Sequence, residues 1–332
     1  MKRQAWLDYI KLIAMSLVVV YHTPPRYDTA HEVALFNMGA PVFFFAAGYL
    51  FNIARQQGFL GFLRHRARQL LVPYTTFFIL FYALWLVVGR RMAGPDEQAI
   101  GVLTPLWQFL QGTPGVVLGP FWFLTALLVM QVIYYPVRKL LGGSWPCVVA
   151  LLLSLSLLIM PDWPWFRYWN LDKAFLYMPI YAVGNCYRHL VDKFSFSTPP
   201  RSLLWVLLAA VGLGFLIVAP LTIDRDVAYV LAPEAVILVL PFYTAVCKWF
   251  EAHCGASRFA QTVAITGITY LALQNYLIGV IKMLVSRLLG PEAFDDNILL
   301  KVVVAVIVML VLYPLALLFE RYLPWMLGKP RR

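Results

Sequence analysis

Ten apolar runs follow one another along this chain, each about the 17–25 residues a helix needs to cross a bilayer. They lie near 6–22, 33–54, 69–88, 117–137, 146–161, 173–190, 203–221, 228–250, 262–287 and 299–319. Runs this continuous predict helices, because the strands of a membrane barrel alternate in much shorter segments. The chain is 61% hydrophobic and only 13% charged, about half the charged share of a soluble domain. The expected fold is therefore all-α: a polytopic integral membrane helical bundle of about ten transmembrane helices. It forms one domain over residues 1–332, since no connection is long enough for a second folded unit. The longest, 89–116, is rich in Gly and Pro.

The net charge of +11 needs a topological reading before a nucleic-acid one. With the N-terminus inside, 17 of the 27 Lys and Arg fall on the cytoplasmic side and eight outside, while Lys11 and Lys282 lie within runs. Most acidic residues fall on the outer side. This predicts an N-in/C-in arrangement with an even number of spans, and it accounts for the basic pI without nucleic acid. The first run lacks a small-residue cleavage site and ends in YHTPPR, so it reads as a retained signal-anchor. The four cysteines show no CxxC pair and no metal-like spacing with histidine, which predicts neither a disulfide frame nor a metal site.

The first run, WLDYIKLIAMSLVVVYH, carries ionisable groups a membrane helix would otherwise avoid. Lys11 and His22 are eleven positions apart, which at 100° per residue is about 20° past three full turns. They share one helix face, separated by about 16 Å along the axis. Asp8 stands three residues before Lys11 and is its neighbour on that surface. An acid, a base and an imidazole on one stripe read as the wall of an active site. The plainer alternative makes Asp8 and Lys11 interfacial residues, with Lys11 snorkelling outward. His22 would then be the first polar residue of a loop that Pro24 and Pro25 begin.

Further stretches could carry chemistry. RHRARQLLVPY sets Arg64, Arg66 and Arg68 on the inner face before the third run; guanidinium forks match phosphate oxygens, although the positive-inside rule alone would place arginines there. GAPVFFFAAGYLF offers small residues that let a helix or an elongated ligand approach closely. GPFWFLTALLVMQVIYYPV has Trp122 at its outer boundary and Gln131 inside. Glu234 is a carboxylate within the eighth run, and Gln274, Asn275 and Lys282 make the ninth unusually polar. Glu32 follows His22 on the outer side.

In order along the chain, these stretches resemble the membrane acyltransferase 3 family. That family's first helix has a basic residue, ten intervening positions and a histidine, a pattern Lys11 and His22 fit. GAPVFFFAAGYLF is similar to its second helix, RHRARQLLVPY to its Arg-rich segment leading into Leu-x-Pro, and FWFLTALLVMQ to its Trp-Phe-Leu helix. YMPIYAVGNCYR is similar to its mid-chain helix ending in a Gly motif. Two positions depart: Ala47 stands for the second-helix Ser, and ITYLALQNYLIG has Gln274 and Asn275 where a late histidine is common. The extra-membrane hydrolase-like domain that some relatives carry is not expected here.

The resemblance implies transfer of an acyl group, often acetyl, from cytosolic acyl-CoA to a hydroxyl of a cell-surface or exported glycan or a lipid-linked sugar. His22 would be the general base, with Lys11 and Asp8 beside it. Arg64, Arg66 and Arg68 would hold the donor phosphates, and Glu32, Trp122, Glu234 and Asn275 would meet the acceptor. The implied location is a bacterial cytoplasmic (inner) membrane. Membrane lipids are expected partners and nucleic acid is not; the oligomeric state stays open, a homo-oligomer included. Two other classes remain: an exporter of a glycan or small molecule that forms no bond, and a non-catalytic assembly subunit, which would leave Lys11 and His22 unexplained.

Overall fold

The computed structural model describes residues 3–25, 29–56, 58–92, 99–113, 115, 117, 119–160, 164–191, 193–196, 199–294 and 297–329; the side chains of 29–33, 35–37, 55, 92, 164 and 291 are outside that description. The main helices are α1 (Ala5–His22), α2 (Thr29–Leu50), α3 (Gly58–Leu84), α4 (Thr104–Gln111), α5 (Trp122–Leu140) and α6 (Trp145–Leu155). They continue as α7 (Leu171–Leu176), α8 (Met178–Cys186), α9 (Pro199–Thr222), α10 (Arg225–Cys254), α11 (Arg258–Leu289) and α12 (Ile298–Tyr322). The described residues contain no strand.

Each of the ten predicted runs overlaps a helix. Seven helices, built on α1, α3, α5 and α9 to α12, are long and apolar enough to cross a membrane by themselves. The other three runs are shorter or broken. In α2 the apolar stretch is Met38–Leu50, with Pro41 inside the helix. In α6 it reaches Leu158 through a 3₁₀ turn. The sixth run divides into α7 and α8 at Tyr177, where Pro179 opens the second helix.

Local chemistry sets the ends. Asp224, Ser257 and Asn297 each accept a hydrogen bond from the first-turn backbone of α10, α11 and α12, the usual remedy for orphaned helix N–H groups. α1 has no side-chain cap of its own. Instead the Glu251 carboxylate accepts from the Ala5 N–H at 2.8 Å, placing negative charge at the helix N-terminus. At its far end Thr23 turns extended, and its hydroxyl returns to the Val19 carbonyl at 2.8 Å.

Apolar side chains cover both the interior and the outer surface. Phe44, Phe45, Phe77, Tyr134 and Tyr181 are fully buried, whereas Leu203, Val211, Leu221, Leu310 and Leu318 on α9 and α12 are exposed, as a lipid-facing bundle requires. α1 lies against α2, α10, α11 and α12, and α2 packs on α8 and α9.

The α2–α8 crossing depends on two glycines. A Cβ on Gly48 would stand 2.0 Å from the Tyr181 carbonyl oxygen, and one on Gly184 would stand 2.5 Å from that of Phe45. Close backbone approach of this kind is what small residues permit in membrane helices. Gly48→Val is expected to separate the pair and cost about 1–3 kcal/mol or more by overpacking. A fall in the unfolding temperature of the detergent-solubilised protein measures it; an unchanged transition would show that the crossing tolerates a side chain.

Candidate active site

A cavity of about 300 Å³ lies between α1, α2, α5 and α11, with Arg66 of α3 at one end. α1 lines it with Lys11, Met15, Val18 and His22, a spacing of four, three and four residues that keeps one face inward. α2 contributes Ala40, Phe43, Ala47 and Leu50, and α5 contributes Leu124, Leu127 and Gln131. The stripe expected from 100° per residue is therefore a cavity wall. The small side chains of the second helix, Ala47 included, widen the channel as well as packing helices.

The α11 wall is bent. Thr266 has non-helical angles (φ −107°, ψ 17°), and its hydroxyl bonds back to the Thr262 carbonyl at 2.7 Å, a side-chain competition that bends helices. Ala264, Ile265, Gly267 and Ile268 flank the bend and face the cavity.

At one end stands His22. Its Nδ1 lies 2.8 Å from the Val18 carbonyl oxygen. A carbonyl can only accept, so Nδ1 donates, and the neutral ring carries its lone pair on Nε2. Tyr21 meets the ring edge-on at 5.0 Å between centroids. Trp122 lines the same end and stacks near Tyr177, with the Lys173 ammonium 4.6 Å above its ring. The loop after His22 is held from across the bundle: Lys301, 1% exposed, donates to the Pro25 carbonyl at 2.7 Å. Lys301 is one of the eight cations that the charge count sets outside, yet its side chain is buried within the bundle.

The other end holds Arg66 and Leu50, with Lys11 further in. Arg66 donates to Gln69 Oε1 at 2.9 Å. Lys11 has no hydrogen-bond or ion-pair partner among the described residues.

Several expected site residues are placed elsewhere. Asp8 does not line the cavity and does not pair with Lys11. Arg3 holds both its oxygens, at 2.8 and 2.9 Å, within a latch at the start of α1 that includes Tyr49 donating to Gln4. The three arginines do not form one clamp. Positions two apart on a helix are 200° apart, so Arg66 turns inward while Arg64 and Arg68 are exposed on another face. Glu234 lies off the cavity, accepting from Ser154 Oγ at 3.1 Å across the α6–α10 contact. Asn275 is exposed on the outside of α11, and the buried amide is its neighbour Gln274. The side chain of Glu32 lies outside the described residues. The described His, Cys, Asp and Glu form no group able to hold a metal ion.

The divided arginines make a contrast testable by titration calorimetry with acetyl-CoA. Arg66→Ala is expected to weaken binding about 10- to 100-fold, the worth of a charge-assisted hydrogen bond, and Arg68→Ala by less. Equal losses would restore the single clamp.

A polytopic helical bundle with titratable groups strung along an internal cavity has the build of an integral membrane enzyme. The chain belongs to the acyltransferase 3 family: the family model, described as an acyltransferase domain, matches residues 4–321. Neither the comparison with curated proteins nor that with solved structures found a match. The protein is thus a membrane acyltransferase.

Proposed function

We propose that the protein transfers an acyl group, acetyl in the simplest case, from cytosolic acyl-CoA to a hydroxyl of an exported or cell-surface glycan or a lipid-linked sugar, in a bacterial cytoplasmic (inner) membrane. The observation that carries this reading is the cavity itself, which links an arginine end to a histidine end along one face of α1. With the N-terminus inside, as the charge distribution predicts, Arg66 faces the donor compartment and His22 the acceptor compartment.

The donor phosphates meet Arg66 at the inner mouth, and its arm runs along the Ala40–Ala47 wall. The thioester carbonyl is then presented near His22, with the acceptor sugar against Trp122. Nε2 of His22 takes the proton of the acceptor hydroxyl as its oxygen attacks the thioester carbon. The new C–O ester bond forms, the C–S bond breaks, and the thiolate of coenzyme A leaves and is protonated. No metal is required by this scheme.

The direct test uses purified protein in lipid vesicles with acetyl-CoA labelled in its acetyl group, and a candidate glycan on the opposite side. Label appearing on the glycan as an ester supports the reading. Passage of the glycan across the membrane with no transfer of label would replace it with the exporter.

A further inference from the structure

At the Arg66 end of the cavity, three buried polar atoms of one cluster lack a hydrogen-bond partner among the described residues. Gln131 is 2% exposed and lines the cavity, yet its Oε1 accepts nothing. Tyr181, fully buried, sets its hydroxyl near the Gln131 side chain and the Arg66 guanidinium, without the geometry of a hydrogen bond. Arg66 spends one terminal nitrogen on Gln69, but its Nε–H is buried and donates to nothing. Buried polar groups are almost always paired. Three orphans that converge beside a cavity call for a ligand that supplies their partners.

The set is chemically specific. Gln131 Oε1 needs an N–H or O–H, while Arg66 Nε–H needs an acceptor oxygen; the Tyr181 hydroxyl serves either. A secondary amide offers an N–H and a C=O on opposite edges. Leu127, one turn from Gln131 on α5, and Leu50 and Ala47 on α2 make the surrounding wall apolar, which suits the aliphatic stretches on either side of such an amide. A free sugar, with hydroxyls all round, would leave most of them unpaired against that wall.

We propose that Gln131, Tyr181 and Arg66 form an amide-reading subsite that holds an extended aliphatic chain by a secondary amide within it. Resting on the donor reading above, that chain is the pantetheine arm of the acyl-CoA. Gln131 and Tyr181 are then positioning residues for the donor, setting how far its thioester reaches toward His22.

The test compares two probes on purified protein: coenzyme A, and adenosine 3′,5′-bisphosphate, which keeps the nucleotide and lacks the arm. Gln131→Leu is expected to weaken coenzyme A binding about 10-fold, within the worth of one or two hydrogen bonds, and to leave the bisphosphate unchanged. Tyr181→Phe, nearly isosteric, should give a smaller loss of the same kind and serves if Gln131→Leu does not fold. A wild-type protein that binds coenzyme A, with both variants unchanged, overturns the subsite alone. So does an equal loss for both probes, which would mark a general disturbance of the site. A wild-type protein that binds no coenzyme A overturns the donor reading and takes the assignment of this ligand with it.

Discussion

His22→Ala is expected to insert and fold as the wild type does, and to lose acyl transfer by about 10²- to 10⁴-fold, the usual cost of removing a general base. The site explains why the loss should be chemical and not structural. His22 ends α1 and is only partly buried, and its Nδ1 meets the Val18 carbonyl one turn below. Losing that contact costs little, because the last carbonyls of a helix are readily satisfied by other means. What alanine removes is a nitrogen whose lone pair is fixed on Nε2 by the Nδ1–Val18 bond. His22→Gln sharpens the test: its amide can also donate to Val18, but it is no base at neutral pH. Both variants should bind acetyl-CoA with wild-type affinity and show the rate loss in kcat. Transfer within a few-fold of wild type in either would remove His22 from the chemistry.

Much of this site was legible in the sequence because it depends on helical periodicity. Lys11, Met15, Val18 and His22 are brought to one wall by the pitch of a single helix, and the apolar length of that helix forces the stripe inward. Trp122, singled out as a boundary aromatic, and the small residues of α2, singled out for close approach, line the same cavity. The failures have a common cause as well. Arg64, Arg66 and Arg68 look like one cluster when charge is counted, though their spacing divides them. Glu234 needed a partner, and Ser154, 80 residues away, is invisible to any local pattern. Between Gln274 and Asn275, a one-residue step turns a side chain by 100°, so polarity without the rotation of α11 could not say which was buried. Asp8 was assigned to Lys11 by proximity, but Arg3 reaches it from outside the helix. Polar residues whose partners lie on other segments are therefore the ones the sequence places least well. Gln131 was visible as an apolar helix's one amide, yet its meaning came only with the finding that its Oε1 has no hydrogen-bond partner among the described residues.

Lys11→Met should be nearly as damaging as the loss of the histidine, by a different route. An ammonium part-way along a membrane helix is costly unless an anion or an array of dipoles compensates it. The sequence suggested Asp8 as that anion. The structure gives Asp8 to Arg3 and leaves Lys11 on the cavity wall, half-buried. Asp8 still acts on it at a distance, and the closer compensation is expected from what enters the cavity. Lys11 lies about 16 Å below His22 along the axis, too far to tune the imidazole by a hydrogen bond, so its expected action is on the donor and not on the base. Breaking a close, desolvated charge contact costs about 2–5 kcal/mol, roughly 30-fold to several thousand-fold in donor affinity or kcat/KM. Methionine keeps the length of the side chain and its apolar stem, so the amount of protein inserted should not fall. Lys11→Arg keeps the charge and should retain part of the activity, with the deficit in KM. The snorkelling alternative predicts full activity in both variants, because a lysine serving only the interface has no ligand to lose. Wild-type transfer by Lys11→Met would return Lys11 to the membrane surface and leave Arg66 as the cavity's donor-facing cation.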